Sequence, residues 1–254
     1  QPSKKFSLMN QLKFTVFLLL IFVKIFYWGW KNKICLLINM LELYQEIFDP
    51  ERKKLWEKLA AFTQDGFLAG GTALALQLGH RKSFDFDIFL PNPISSQFYH
   101  KVLKILGQEG KPRVRTGDLL LVQTPEKIDV HFVYYWYKNI LPLIKTSSLD
   151  LASVADIAAN KAFTIGQRGQ WRDYVDIFFL LQRKVFTLEK IVTISQKKYG
   201  SEFNPRLFWE QLCYFDDIKN FDITFLKESF STEEIQTFLT NAVKNIDIKT
   251  TTLV

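Results

Sequence analysis

Residues 70–89 read GGTALALQLGHRKSFDFDIF, and this stretch decides the predicted fold. Gly70 and Gly71 precede a short predicted helix; because glycine has no Cβ, backbone N–H groups at this corner can approach phosphate oxygens closely. The start of the helix would direct its positive end at those oxygens. Asp85 and Asp87 alternate along an apolar strand, so both carboxylates project from one face. Two carboxylates together with substrate phosphates are a usual way to hold Mg²⁺, so the stretch predicts a metal–nucleotide site.

A third carboxylate, Asp129, lies inside the apolar strand predicted over Lys127–Tyr134. An aspartate among hydrophobic residues is costly to bury unless it is paired or bound to a metal. A lone aspartate in a strand is otherwise a solvated residue on the outer face of a sheet. The residues themselves leave both interpretations open.

The glycine pair and the Asp-Phe-Asp motif, with thirteen residues between them, resemble the signature of the nucleotidyltransferase superfamily that includes DNA polymerase β. The fuller string, which includes His80 and Arg81, resembles the AbiEii/AbiGii toxin family. That family is the nucleotidyltransferase half of bacterial type IV toxin–antitoxin and abortive-infection systems. The resemblance runs from about Met40 to about Leu181 and more loosely through the remaining helices.

The resemblance implies an enzyme that transfers a nucleoside monophosphate from an NTP to an acceptor hydroxyl and releases pyrophosphate, with two Mg²⁺ ions as the expected cofactors. The metal ligands that it implies are Asp85, Asp87 and Asp129. The residues expected to position the phosphates are Gly70, Gly71, Thr72 and Arg81.

A second block, over residues 156–176, resembles a further conserved segment of the same family. Lys161 and Arg168 are seven residues apart in a predicted helix, so they lie on nearly the same face. On the resemblance Lys161 contacts the triphosphate, and Asp176 (with Asp173 as second choice) supports or activates the site. Arg168 and Asp173 are further candidates for nucleotide binding. Solvated surface positions are the alternative for each of these residues taken alone.

The acceptor that the resemblance implies is an RNA 3′ end, particularly that of tRNA, with growth arrest as the consequence. It also implies a separately encoded antitoxin that need not contact the toxin. A nucleotide-binding module without turnover, and transfer of NMP or phosphate to a protein hydroxyl, are the competing functions. The sequence does not select the base of the NTP or an oligomeric state.

The charge of the chain is concentrated near its start. The net charge is +7, but residues 1–39 hold six lysines and no acidic residue, which leaves 27 basic against 26 acidic residues in the rest. A globally basic nucleic-acid footprint is therefore absent from the main body, and any polynucleotide would be gripped by a local patch. The two cysteines, Cys35 and Cys213, form no disulfide framework or zinc motif, which is typical of a reducing, cytoplasmic compartment.

The first 39 residues form a hydrophobic extension with three open interpretations. Phe14–Val23 is an unbroken apolar run of ten, which is short for a membrane span of roughly twenty residues. The extension is either non-native sequence before a functional start at Met40, a membrane anchor over 14–30, or a helical packing extension. Membrane contact is not expected unless 14–30 is a real anchor.

The predicted fold class is α+β. An α/β nucleotidyltransferase domain, with a polymerase β-like mixed sheet and flanking helices, is expected over 40–141, and a helical domain over 142–254. The weak boundary lies near Leu141–Ser148, after which predicted helices follow one another.

Overall fold

A five-stranded mixed sheet is the framework of the molecule. The computed structural model describes residues 43–107 and 112–246, without the side chain of Arg168. The sheet order is β1-β2-β5-β4-β3, in which β2 and β5 are parallel and the other neighbours are antiparallel. The strands are β1 (Phe67–Ala69), β2 (Phe86–Leu90), β3 (Pro112–Arg115), β4 (Leu119–Gln123) and β5 (Asp129–Tyr134).

Eight α-helices lie in the described part of the chain, which confirms the α+β class and the helical character of the second half. They are α1 (Pro50–Leu59), α2 (Gly70–Leu78), α3 (Ser96–Leu106), α4 (Val154–Arg168), α5 (Trp171–Gln182), α6 (Leu188–Tyr199), α7 (Pro205–Leu212) and α8 (Thr232–Lys244). None of these described helices combines the length and the apolar character that a membrane crossing requires. The anchor considered for residues 14–30 lies outside the described residues.

Side chains predicted from local sequence fix several helix starts. Asp49 accepts a hydrogen bond from the backbone N–H of Arg52, and proline occupies the first position of α1. Ser231 and Glu234 form a reciprocal capping box at the start of α8. Ser153 caps α4 by accepting from the backbone N–H of residue 156, and its own hydroxyl donates to the carboxylate of Asp156. The Ser-x-x-Asp pattern that opens α4 therefore gives a cap without the reciprocal bond to the backbone.

One face of the sheet is packed into the core, and the opposite face carries the polar positions. Burial alternates along β2 and along most of β5, with Phe86, Ile88, Val130 and Phe132 fully buried. Residues between them point to the other, partly exposed face. This alternation determines which side chains share the site.

The α/β and helical halves share one core. The backbone N–H of Leu68 donates to Asp150 O, and Ala152 N–H donates to Leu68 O, so the segment before α4 pairs with the edge strand β1. Helix α2 packs against α4 and α5. The described residues from 43 to 246 form one compact unit, so the segments predicted as 40–141 and 142–254 pack as parts of a single body.

Candidate active site

The three predicted aspartates project from the same face of the sheet. Asp87 is in register with His131 across the β2–β5 pair, and Asp129 precedes His131 by two residues. Since side chains two apart on a strand share a face, Asp129 lies on the side of Asp87. Asp85 precedes Asp87 by two residues in the extended chain and is, like it, partly exposed. The placement agrees with the expectation, while the role of these carboxylates as metal ligands stays a prediction.

Each of these carboxylates has a cationic partner of its own. Asp85 Oδ2 lies 3.3 Å from Arg172 Nη1, and Asp87 Oδ1 lies 2.9 Å from His131 Nδ1. Asp129 Oδ2 lies 3.5 Å from a nitrogen of Arg113, and its other oxygen accepts from a glutamine on β4. Within residues 43–107 and 112–246, no three His, Cys, Asp or Glu side chains converge as a ready-formed metal centre.

His131 is a member of the site that the sequence analysis did not select. Its hydrogen bond with Asp87 raises the imidazole pKa despite burial, and the charges of Asp87, Asp85 and Asp129 add to this rise. Burial alone would raise the pKa of Asp87, but the hydrogen bond and charge of His131, together with more distant cations, hold it below its usual value. The signal in the sequence was the Asp129-x-His131 alternation, which puts both side chains on one face.

The glycine corner makes room for the site's own side chains. Gly70 has φ of +64°, and a Cβ added there would lie 2.2 Å from Asp87 Oδ2. A Cβ on Gly71 would lie 2.4 Å from Arg81 Nη2. A side chain at either position would therefore collide with another residue of the site. The sequence did not reveal this, because substrate phosphate was expected to occupy the space beside the two glycines. The Asp87 carboxylate lies beside the first residue of α2, where the helix dipole favours negative charge.

Thr72 holds the chain that leads into β2. Its side chain is buried, and its hydroxyl donates to the backbone carbonyl of Asp85 and lies 2.8 Å from Ser83 Oγ. The hydroxyl is therefore committed to the segment that carries the first aspartate, and the phosphate contact predicted for Thr72 stays a prediction. Ser83, which the sequence analysis missed, completes this link.

A buried ionic network lies behind the aspartates. Arg81 donates two hydrogen bonds to Asp176, at 2.7 and 3.0 Å, and His80 Nε2 lies 2.8 Å from Asp176 Oδ1. Lys161 Nζ lies 2.6 Å from Asp173 Oδ1 and 2.8 Å from Asp176 Oδ2. The Asp176 side chain is fully buried, so these partners satisfy a carboxylate that would otherwise be very costly to bury.

The network fixes its protonation states. Burial would raise the pKa of Asp176, but Arg81 and Lys161 outweigh it and hold that pKa well below its usual range. Burial lowers the pKa of His80 despite the hydrogen bond to Asp176, so the ring is neutral and donates through Nε2. Its Nδ1 is buried without a hydrogen-bond partner among the described residues.

These contacts bear on the roles predicted for Arg81 in the first stretch and for Lys161 and Asp176 in the second block. Arg81 is 3% exposed and Asp176 is fully buried, so both side chains face the network behind the sheet. The phosphate contact predicted for Arg81 and the supporting role predicted for Asp176 stay predictions. Lys161 is also buried, with two of its three N–H donors directed at carboxylates, and its charge reaches Asp87. The side chain of Arg168 lies outside the described part of the structure.

A second polar cluster fixes α4, and with it Lys161, against β5 and α6. Asn160 Oδ1 accepts from the hydroxyls of Tyr135, at 3.0 Å, and Tyr199, at 2.8 Å. Lys198 donates to Asp156 at 2.9 Å, and both of these side chains are fully buried. Asp156, in the first turn of α4, is thus the acceptor of a buried ion pair.

Comparisons with known proteins find a matching family model and a relative in sequence. A family model described as "Nucleotidyl transferase AbiEii toxin, Type IV TA system" matches residues 54–249. An uncharacterised protein of Aquifex aeolicus is 31% identical over 179 residues, which cover 66% of this chain and 84% of that protein.

Two solved structures share the fold. MenT4, a nucleotidyltransferase toxin from Mycobacterium tuberculosis, superposes with a TM-score of 0.53 at 15% identity, over 78% of this chain and 84% of that one. A crystal structure from Helicobacter pylori, described as that of a "putative nucleotidyltransferase", has a TM-score of 0.50 at 17% identity, over 82% of this chain and 99% of that one.

Proposed function

The chain belongs to the AbiEii family of nucleotidyltransferase toxins of type IV toxin–antitoxin systems, and we propose that it moves an NMP from an NTP to an acceptor hydroxyl. The observation that carries the proposal is the placement of Asp85, Asp87 and Asp129 on one face of the sheet. In the transfer, a bond forms between the acceptor oxygen and the α-phosphorus. The bond from that phosphorus to the bridging oxygen breaks, and pyrophosphate leaves.

The donor set fits magnesium. The three side chains offer only hard carboxylate oxygens, and Gly70 leaves open the space into which the Asp87 carboxylate projects. Asp85 and Asp87 would hold two ions, with Asp129 as a further ligand of one of them. When bound, the ions would lower the pKa of the acceptor hydroxyl and neutralise charge on the pyrophosphate.

The protein's own groups would orient the reactants. Asp129 lies toward the β4 side of the site and would accept the proton that the acceptor hydroxyl loses. Thr72 and the buried Arg81–Asp176 pair would hold the aspartate-bearing strand in place. Lys161 would add positive charge behind the phosphates.

We propose an RNA 3′ end, and tRNA in particular, as the acceptor, because the resemblance to the AbiEii family implies an acceptor of this kind. Membership of a type IV system implies an antitoxin partner. The antitoxin is proposed to be separately encoded and to act without obligatory contact with the site.

The test is incubation of the purified protein with each of the four NTPs, labelled at the α-phosphate, and with total RNA. The proposal expects label on RNA of tRNA size, released by nuclease and resistant to protease. Label on protein would show that the acceptor is a protein hydroxyl and not RNA. If no NTP gave label on either RNA or protein, the transfer reaction would be contradicted. Asp118→Asn, at an exposed turn of the same sheet, is the control for the site variants.

A further inference from the structure

Arg172 lies in the first turn of α5 and reaches across to the sheet. Its Nη1 atom is 3.3 Å from Asp85 Oδ2, and the two side chains are 48% and 31% exposed. The Arg81–Asp176 pair in the same region has two shorter hydrogen bonds and is buried. Exposed single contacts of this kind contribute little stability, so the Arg172–Asp85 pair is easily opened.

The backbone under Arg172 is fixed, while its side chain is about half exposed. The neighbouring Asp173 accepts from the backbone N–H of Gln170 and from Lys161, which anchors the first turn of α5. Arg172 also lines a hollow of about 500 Å³ between the start of α5 and the segment 217–222. The guanidinium therefore has open space to enter when it leaves Asp85.

Arg172 and a divalent cation compete for the same carboxylate. A metal ion bound by Asp85 would place two positive charges beside the guanidinium, and the repulsion would drive Arg172 away. Asp217 and Asp222 line the hollow that Arg172 would enter, but the substrate's triphosphate carries more charge, and its oxygens match the two-pronged guanidinium geometry.

Resting on the proposed nucleotidyl transfer, we propose that Arg172 is a transferable counter-ion: it neutralises Asp85 in the free protein and moves to the triphosphate when metal and nucleotide bind. The site thus keeps its negative charge compensated before the substrate arrives. The same side chain then binds the substrate, which makes it a nucleotide-binding residue that the sequence analysis did not select.

The proposal gives two effects of opposite sign in Arg172→Gln. Mn²⁺ alone should bind about threefold more tightly, because the competing cation is gone. Inorganic tripolyphosphate in the presence of Mn²⁺ should bind about tenfold more weakly, because a phosphate ligand is lost. Free Mn²⁺ measured by electron paramagnetic resonance gives the first value, and calorimetric titration gives the second. Tripolyphosphate avoids any dependence on the base.

Two further variants separate the role of Arg172 from a general effect of removing surface charge. Arg206→Gln removes an arginine from an exposed pair with Glu210 on α7 and should change neither affinity. Arg172→Lys keeps the charge and loses the forked geometry, so Mn²⁺ binding should return to the wild-type value and tripolyphosphate binding only in part. A thermal melt of each variant reports folding.

If Arg172 had only a structural role, Arg172→Gln would bind both Mn²⁺ and tripolyphosphate more weakly. If its pair with Asp85 were incidental, both affinities would stay unchanged. Either result overturns the proposal. Both readouts are binding measurements, so they are independent of turnover. Opposite shifts in a protein that transfers no NMP would support the counter-ion role and contradict the enzymatic function. Full NMP transfer with no shift in either affinity would support the enzymatic function and contradict the counter-ion role.

Discussion

The guanidinium of Arg81 and the carboxylate of Asp176, 95 residues apart in sequence, form two hydrogen bonds in the interior of the protein. This pair connects the chain just before Asp85 and β2 to α5. Lys161 of α4 shares the same carboxylate. The aspartates of the sheet are therefore positioned by residues of the helical half.

Asp176→Asn should destabilise the protein by about 3 kcal/mol or more, because Arg81 and Lys161 would keep their buried charges after losing their shared anion. Urea unfolding followed by circular dichroism measures this change. Asp118→Asn makes the same chemical substitution at an exposed turn and should stay within about 0.5 kcal/mol of wild type. Equal stability of the two variants would show that the buried network contributes nothing.

Gly70→Ala should cost about 1–2 kcal/mol of stability and abolish nucleotide transfer. The residue has φ of +64°, and the new methyl group would lie against the Asp87 carboxylate. Gly117→Ala is the matched control, since a Cβ there meets open space. Thermal unfolding and a transfer assay check both effects. If Gly70→Ala kept full activity, the Asp87 carboxylate would not need its present position.

The protein should lose stability in mild acid through His80. Burial lowers the pKa of this imidazole in the folded state, where it faces Asp176, Arg81 and Arg183. The unfolded chain takes up a proton below about pH 6.5 and the folded chain does not, so stability falls as the pH drops from there toward the lowered pKa. The limiting slope is about 1.4 kcal/mol per pH unit.

Urea unfolding at pH 7.0 and pH 5.5 measures the loss of unfolding free energy between the two pH values. A comparison of variants separates the contribution of His80 from that of the other titrating groups. His80→Gln should show a smaller loss of stability between the two pH values than wild type. His100→Gln removes an exposed histidine of α3 and should keep the wild-type loss. An unchanged pH dependence in His80→Gln would show that the ring is not held neutral.

A second, more acidic loss of stability is expected from Asp176. Its folded-state pKa lies well below the usual value of 3.8, so the stabilisation is complete above the unfolded pKa and is lost as the pH falls from there toward the folded pKa. Comparing wild type with Asp176→Asn between pH 5 and pH 2.5 measures this contribution. Parallel curves for the two proteins would contradict it.

Local pattern was sufficient for part of the shared face of the site. Alternation predicted that Asp85 and Asp87 lie on one side of the sheet, and paired glycines predicted the sharp corner before α2. The place of Asp129 beside them was implied by the family resemblance, because alternation alone left its face open. The partners of Arg81 could not be read in this way. Its contact with Asp176 depends on how α5 packs against α2, which no local periodicity encodes.

The dependence on packing also limits what the sequence shows about the basic residues of the motifs. A lysine or arginine in a family motif can face substrate or a buried carboxylate, and composition does not distinguish them. Lys161 was predicted to contact the triphosphate, and local sequence did not indicate that its ammonium lies between Asp173 and Asp176. Arg172 was not selected from the sequence, and it reaches Asp85. Packing decided both cases.

The most direct test of the central claim is transfer of label from an α-phosphate-labelled NTP by three single variants. Asp85→Asn, Asp87→Asn and Asp129→Asn each keep side-chain volume and remove one carboxylate of the shared face. The account predicts that each lowers the transfer rate by about a hundredfold or more, while Asp118→Asn transfers at the wild-type rate and all four proteins melt cooperatively. Transfer at the wild-type rate by folded Asp129→Asn would contradict the claim that carboxylates of β2 and β5 act on one nucleotide.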